Sequence, residues 1–256
     1  MRVLVISVAM ALSSAAVHAA EYVNIDGGTF ASVLPADAVA ANVTVAPFRL
    51  RTEPVTNAEF LDFVITHPQW RRDRVARVFA EARYLAQWQD ATALAAETAP
   101  TQPVVQVSWF AARAYCASEG ARLPTWNEWE FAAAADATRA DARGDPAWRE
   151  SILSWYAKPS SAAAANIGGA ANVYGVRDLH GLAWEWVEDF NALLVAADSR
   201  DQNDPDRLKF CGAGALNLRD LDNYAVLMRV AMLSSLKAAD TTSNLGFRCA
   251  KMRQDK

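Results

Sequence analysis

The protein has 256 residues, of which 52% are hydrophobic and 21% charged, and its formal net charge is −4. This composition excludes a largely disordered chain and fits one globular domain with a sizeable core. The acidic balance argues against nucleic acid as a partner, because binding phosphates requires clustered positive charge.

Residues 1–19, MRVLVISVAMALSSAAVHA, have the pattern of a secretory signal peptide. Arg2 precedes an apolar run, and the small residues Val17 and Ala19 fit the −3 and −1 positions of a cleavage site. A membrane anchor is the alternative, but two serines interrupt the run and it is short for a span. We predict a periplasmic or secreted protein with no membrane span after signal cleavage, and a single domain over residues 20–256.

The chain contains three cysteines, Cys116, Cys211 and Cys249. In an oxidising compartment an odd number indicates one disulfide and one further thiol. Only His67 and His180 remain once the signal peptide is removed, and they are far apart in the sequence. A histidine-rich zinc, iron or copper centre is therefore not expected.

Short strands are predicted between residues 21 and 54, where apolar stretches are broken by glycine and proline. A helix should follow, because Thr56 and Glu59 have the spacing of a capping box. Residues 71–100, rich in alanine, arginine and glutamine, indicate a second helix. Residues 103–107 indicate a short buried strand.

Two more helix starts follow. Ser108 is placed to cap WFAARAYCASEG, which Gly120 should end. In ARLPTWNEWEFAAAA, Thr125 and Glu128 repeat the capping-box spacing. An acid–base role for Glu128 or Glu130 is the alternative interpretation, and the helix start is favoured over it.

Regularity weakens after residue 136, where ATRADARGDPAW and KPSSAAAANIGGAAN are predicted to be surface loops. GLAWEWVEDF alternates apolar and acidic residues and is consistent with a strand or bend that turns two indoles inward. A last strand is predicted around residues 247–250. Neither internal repeats nor a second domain with its own linker is indicated.

Five segments occur in a fixed order: VTNAEFLDFV, QPVVQVSWFAARAYC, ARLPTWNEWEFAAAA, GVRDLHGLAWEWVEDF and NLGFRCA. From about Tyr22 to Met252 the chain resembles the sulfatase-modifying-factor, or formylglycine-generating enzyme, family. Five ordered matches are far more specific than one short motif. The resemblance implies an α+β, C-type-lectin-like fold with short strands, a few helices and much irregular structure.

The resemblance also implies which cysteines pair. Family members join a cysteine at the position of Cys116 to one at the position of Cys249, which would leave Cys211 as the free thiol. Cys211 is a weak catalytic candidate, because a small thiol near a glycine-rich backbone is more often a core residue than a nucleophile.

The family's oxidation of a substrate cysteine to an aldehyde depends on two nearby cysteines that bind copper(I). Here the corresponding stretch is KFCGAGALNLRDL, and the matching positions lie near Leu216 and Leu221. Leucine cannot supply a thiolate to a soft metal. Neither copper nor formylglycine-generating oxidase activity is therefore expected.

The stretch DLHGLAWE matches a family calcium site at four positions: Asp178, Gly181, Ala183 and Glu185. Carboxylate and carbonyl oxygens at a bend are ligands that calcium accepts. The alternative is that the carboxylates are surface charges or accept hydrogen bonds from loop amides. A second family site would begin at Asn166 and Ile167, but the loop that carries its other ligands is shortened.

Three further residues are candidates for lining a pocket: Trp184, Trp186 and Arg248. For the tryptophans, a place in the core is the favoured alternative.

The resemblance favours an accessory or maturation factor for another exported protein or peptide, since cysteine-less members accompany exported copper enzymes such as nitrite reductases. One alternative is a periplasmic oxidoreductase that uses a different centre, as proposed for cysteine-independent members that modify a peptide-derived siderophore. Another is a calcium-dependent carbohydrate-binding module, although the chain lacks an EPN or QPD sugar motif.

Overall fold

The computed structural model of the protein describes residues 20–34, 42–156, 165–192 and 224–253. Short strands and helices are joined by long irregular segments, which is the α+β architecture that the family resemblance implies. Within these ranges, no helix combines the length and the apolar character that crossing a membrane would require.

The strands are β1 (Tyr22–Ile25), β2 (Gly28–Ala31), β3 (Asn42–Val45), β4 (Phe48–Arg51), β5 (Trp184–Glu185), β6 (Leu245–Gly246) and β7 (Ala250–Met252). The α-helices are α1 (Asn57–Thr66), α2 (Trp109–Ser118), α3 (Trp126–Ala133), α4 (Pro146–Tyr156) and α5 (Tyr224–Ser234). Two 3₁₀ turns, Pro68–Trp70 and Phe190–Ala192, complete the described elements.

The largest described sheet is antiparallel, with β4 between β1 and β7. Leu50 pairs with Val23 on one side and with Ala250 on the other, and neither Leu50 nor Ala250 has exposed surface. The last strand begins three residues later than predicted. The carbonyl oxygens of Phe247 and Cys249 instead accept hydrogen bonds from the amides of Val55 and Arg51. Strand β6 pairs in parallel with β5.

The predicted helix starts are confirmed. Thr56 and Thr125 each accept from the amide three residues on, and Glu59 and Glu128 complete the two capping boxes. Ser108 caps α2, and the chain leaves that helix through Gly120 at a φ of +63°. A positive φ favours glycine, because in other residues the Cβ atom clashes with the backbone in this conformation.

The predicted helix within residues 71–100 is wrong, because the segment is built of turns. Side-chain hydrogen bonds stabilise these turns. The Arg72 guanidinium donates to the carbonyl oxygens of Leu85 and Trp88 at 2.9 and 3.0 Å, and these two residues are not in a helix. Pro103, Val104, Val105 and Val107 are buried, but this segment forms only an isolated bridge between Pro103 and Thr56, so the predicted strand is also wrong.

Helices α4 and α5 were not predicted. The first begins inside a stretch expected to be a loop, where Asp145 Oδ1 accepts from the amides of Ala147 and Trp148 at 2.9 and 3.4 Å. Proline at the first helical position after a capping aspartate is a known helix start. The Asp-Pro pair was therefore a usable signal.

Cys116 in α2 and Cys249 before β7 form a disulfide, the pairing that the family resemblance implies. Their Cα atoms are 5.5 Å apart and the two residues are separated by 133 positions. Closing so long a loop in the unfolded chain corresponds to about 4–5 kcal/mol in the chain-entropy model. Both cysteines are fully buried, so the bond is protected from solvent.

Candidate functional site

The family motifs meet around the carboxylate of Glu185 in β5. Arg248 and Trp129 bind the carboxylate, Arg229 binds the Glu185 backbone carbonyl, and His180 packs against Trp129. We call these five residues the Glu185 centre: Glu185, Arg248, Trp129, His180 and Arg229. Trp184, Glu185 and Trp186 are all buried, so both faces of β5 are covered by the rest of the protein. The centre is therefore polar but lies inside the apolar core.

Arg248 and Glu185 form an ion pair in which neither side chain has exposed surface. Nε of Arg248 lies 3.0 and 2.9 Å from the two carboxylate oxygens, and a terminal guanidinium nitrogen lies 2.8 Å from Oε1. The indole of Trp129 donates to Oε2 at 2.9 Å. Removing charges from water is costly, and this pair offsets the cost with several directed hydrogen bonds.

The rest of the Arg248 guanidinium donates to backbone. Its terminal nitrogens lie 3.3, 3.2 and 2.9 Å from the carbonyl oxygens of Arg51, Thr52 and Arg177. One side chain therefore joins the end of β4, the loop before β5 and the segment before β7. This makes Arg248 a structural cross-link, and it leaves no guanidinium nitrogen for an external ligand.

Arg229 enters the centre from α5. Its guanidinium carbon lies 3.5 Å from the centroid of the Trp129 ring, and it donates to the carbonyl oxygen of Glu185. Cation–π contacts of this kind strengthen when water is excluded. Sequence reasoning missed this residue, although a single charge in the apolar stretch YAVLMRVAMLS was a signal for it.

His180 packs edge-on against Trp129 and Trp148, with ring centroids 5.6 Å apart in both cases. Its Nε2 lies 2.9 Å from the carbonyl oxygen of Ala133. Burial lowers the pKa of His180 to about 4, and the positive charges of Arg229 and Arg248 act in the same direction. The imidazole is neutral at pH 7, and the acceptor at Ala133 assigns its proton to Nε2.

The carboxylates predicted to bind calcium, Asp178 and Glu185, already accept hydrogen bonds from protein groups. The Glu185 carboxylate already accepts from Arg248 and Trp129, and a cation beside that guanidinium would meet like charge. Asp178 Oδ2 and Oδ1 accept from the amides of Gly168 and Gly169 at 2.8 and 3.0 Å, which is the alternative role stated for it. The part of the chain that is described contains no group of three or more His, Cys, Asp or Glu suited to a metal.

The other candidate residues lie in the core, at the surface or outside the described residues. Gly181 is exposed at a φ of +89°, and Ala183 is buried. Trp184, Trp186 and Arg248 are core residues rather than the lining of an open pocket. The Trp186 indole donates to the carbonyl oxygen of Val107 at 2.8 Å. Asn166 accepts from the Thr101 hydroxyl. Cys211, Leu216 and Leu221 lie outside the described residues.

Glu128 and Glu130 have structural partners. Glu130 accepts from the Ser32 hydroxyl at 2.6 Å, the Val33 amide at 2.9 Å and the Trp126 indole at 2.9 Å. Burial raises the pKa of Glu130, and these hydrogen bonds oppose that rise. Glu128 binds both terminal nitrogens of Arg122 at 2.6 Å. The helix start therefore accounts for Glu128, and contacts with Ser32, Val33 and Trp126 account for Glu130.

Comparison with known proteins identifies the family of the chain. Residues 8–253 match the family model described as "Sulfatase-modifying factor enzyme 1-like domain". The chain is 34% identical over 168 residues to a hercynine oxygenase of Mycolicibacterium smegmatis, a match that covers 56% of this chain and 37% of that protein. It is 34% identical over 165 residues to "Inactive C-alpha-formylglycine-generating enzyme 2" of Bos taurus, covering 58% of this chain and 50% of that protein.

The chain thus spans about half or less of the length of these two relatives. Among solved structures, PvdO from Pseudomonas aeruginosa superposes with a TM-score of 0.50 and 18% sequence identity. That match covers 91% of this chain and 94% of PvdO, and it bears on the fold alone. With a family model that matches nearly the whole chain, the protein belongs to the sulfatase-modifying-factor family.

Proposed function

We propose that the chain is an exported accessory or maturation factor for another exported protein, without formylglycine-generating oxidase activity. The observation that carries this proposal is the number of thiols. The sequence has three cysteines, and the structure joins Cys116 to Cys249. One chain therefore has a single further cysteine, Cys211.

A copper(I) site of the family type needs two thiolates, because soft thiolate ligands are what this ion prefers. Cys211 supplies one sulfur at most. His180 cannot replace the second thiolate while it lies between Trp129 and Trp148 with its Nε2 beside the Ala133 carbonyl. The oxidation that defines the active enzymes thus lacks its ligand set in a single chain.

The names of two relatives bear on the choice between a binding and a catalytic role. The bovine relative is named as inactive, which supports an accessory role for this chain. The mycobacterial relative is named as an oxygenase, which favours the second candidate, an oxidoreductase that uses a different centre. A calcium-dependent carbohydrate-binding module has less support, because Glu185 is already bound to Arg248.

A peptide assay tests the absence of oxidase activity. The mature protein is loaded with copper(I) and incubated with oxygen and a cysteine-containing sulfatase peptide, beside a family enzyme that has both cysteines. We expect aldehyde formation, read by mass spectrometry, with the control enzyme alone. Aldehyde formed by this chain at an enzymatic rate would contradict the proposal.

A complementation experiment separates the accessory role from a catalytic thiol. The gene is deleted in its native host, and the exported proteome is compared before and after complementation. An accessory factor predicts that one exported protein loses abundance or maturation, and that both the wild type and Cys211→Ser restore it. If Cys211→Ser fails to restore it while the variant chain is present at normal levels, a catalytic thiol replaces the accessory role.

A further inference from the structure

Residues 71–83, which we call the arginine loop, carry an unusual local charge. The segment RRDRVARVFAEAR contains five arginines and two acidic residues, a net charge of +3 within a chain whose net charge is −4. The helix predicted within residues 71–100 is absent, and residues 71–83 form a series of turns on the surface. The positive charge is therefore concentrated in one exposed place.

The base of the arginine loop is firmly held. Arg72 donates to three carbonyl oxygens between residues 85 and 89, and the Tyr84 hydroxyl donates to the carbonyl oxygen of Trp70 at 2.9 Å. Glu81 Oε1 accepts from the amide and the hydroxyl of Thr241 at 2.7 and 2.8 Å. The outer part of the loop is therefore presented on a fixed support, which lowers the entropy lost on binding.

Three of the five arginines have partners. Arg71 pairs with Asp73, Arg83 with Glu81, and Arg72 is bound to the carbonyl oxygens just described. Arg74 and Arg77 are exposed, and neither side chain has a hydrogen bond or ion pair with any described residue. Two solvated guanidinium groups are thus available to an anionic partner.

Apolar surface lies beside these charges. Val78 is 68% exposed and Phe79 42% exposed. The Phe79 ring contacts Phe110 and Trp70, with centroids 5.3 and 5.9 Å apart. An open cleft of about 460 Å³ at the start of the arginine loop is lined by Arg71, Arg72, Asp73, Asp90, Ala91 and Thr92. Exposed aromatic and apolar side chains flanked by arginine are typical of interface surfaces.

We propose that the outer face of the arginine loop, formed by Arg74, Arg77, Val78 and Phe79, binds an acidic segment of a partner protein that also carries an apolar side chain. The proposal rests on the accessory role only in taking the occupant to be a protein. Carboxylates of the segment pair with the two guanidinium groups, and its apolar side chain covers Val78 and Phe79. The match of charge is the argument for this occupant.

Two other occupants fit less well. A bilayer surface attracts about 1 kcal/mol per basic residue, and lipid-binding clusters contain about 4–8 of them, whereas Arg74 and Arg77 are the two without partners here. A second copy that used the same face would place these arginines against each other, because a two-fold interface is self-complementary. Like charges at close range would oppose that contact.

Fluorescence anisotropy with short labelled peptides tests the proposal on the mature full chain. One peptide alternates acidic residues with Leu and Phe, a second has Lys at the acidic positions, and a third has Ser at the apolar positions. We expect the first to bind best, with an affinity that falls as salt is added. Arg74→Glu/Arg77→Glu should weaken its binding by about tenfold or more, and Val78→Ser by less.

The control Lys251→Glu/Arg253→Glu makes the same change in net charge outside the arginine loop, at Lys251 in β7 and at Arg253 just after it. We expect it to leave peptide binding within about twofold of the wild type. Equal weakening by both double variants, or equal binding of the acidic and basic peptides, would overturn the proposal. So would binding to phosphatidylglycerol vesicles, or self-association in sedimentation velocity, that the Arg74→Glu/Arg77→Glu variant alone removes. None of these results depends on the complementation experiment, so the surface and the accessory role can fail separately.

Discussion

The Glu185 centre and the arginine loop both contain arginine side chains, but those of the first are buried and bonded, whereas Arg74 and Arg77 of the second are exposed. Arg248 has no exposed surface, and all its nitrogens donate within the protein. Arg74 and Arg77 are exposed and have no partner among the described residues. The first arrangement fixes the fold, and the second leaves charge available to another molecule. The surroundings of an arginine therefore indicate its role better than its place in a motif.

Breaking the buried pair should have the largest effect. Arg248→Met leaves the Glu185 carboxylate buried beside Trp129 without its counter-ion, and we expect a loss of about 3–5 kcal/mol in the free energy of unfolding. Urea denaturation of the oxidised protein measures it. The double variant Glu185→Leu/Arg248→Met should recover part of the loss. A single variant as stable as the wild type would show that Arg248 does not cross-link the fold.

The second-largest effect is a pH dependence of stability that comes from His180. The folded-state pKa of His180 is about 4, below the value of about 6.5 expected in the unfolded chain. The unfolded chain therefore takes up a proton first as pH falls, so the stabilising contribution of neutral His180 is complete above pH 6.5 and is lost towards pH 4. The loss approaches about 3 kcal/mol.

Urea midpoints between pH 7 and pH 4 check this prediction, with His180→Gln as the matched variant that does not titrate. Burial raises the pKa values of Glu130 and Asp189, which stabilises the folded state as pH falls and partly masks the histidine. The difference between wild type and variant isolates His180. Parallel pH profiles for the two proteins would contradict the prediction.

Arg122 is an intermediate case, because its side chain is 32% exposed and binds the capping-box carboxylate of Glu128. Partly exposed ion pairs contribute less than fully buried ones. We expect Arg122→Gln to cost about 1 kcal/mol, read from the thermal midpoint. Thr125→Ala, which removes the cap itself, should cost about the same. An effect as large as that of Arg248→Met would remove the distinction between buried and half-exposed pairs.

The smallest effect is expected at the arginine loop. Arg74→Gln/Arg77→Gln removes two solvated charges and no described contact, so the free energy of unfolding should change by about 0.5 kcal/mol or less. Thermal melting at low and high salt measures it. A larger loss would mean that these residues support the fold, and it would weaken their assignment to a binding surface.

The parts of the fold that could be predicted from the sequence are those fixed by local chemistry. The capping boxes at Thr56 and Thr125 depend on groups three residues apart, so the pattern alone was sufficient. The alternation around Trp184 and Trp186 likewise predicted two inward indoles. The segment 71–100 failed because its conformation depends on Arg72 binding distant carbonyls, which no local period encodes.

The candidate site was less predictable for the same reason. Glu185 was assigned to calcium from its motif, but its partner Arg248 lies 63 positions away. The contact of Arg229 with Trp129 also joins distant segments. The opposite charges of Glu185 and Arg248 in two apolar motifs were a hint that these motifs pair. Only the folded structure shows which carboxylate binds which guanidinium.

Residues 245–253 supply β6, Arg248, one cysteine of the disulfide and β7, and they are synthesised after every other described element. Until they arrive, the described sheet lacks β7, Glu185 lacks its counter-ion and Cys116 lacks its disulfide partner Cys249. Contacts between such distant segments form slowly because loop closure precedes the gain. The docking of this last segment, rather than helix formation, therefore determines when Cys116 becomes protected from exchange with other thiols.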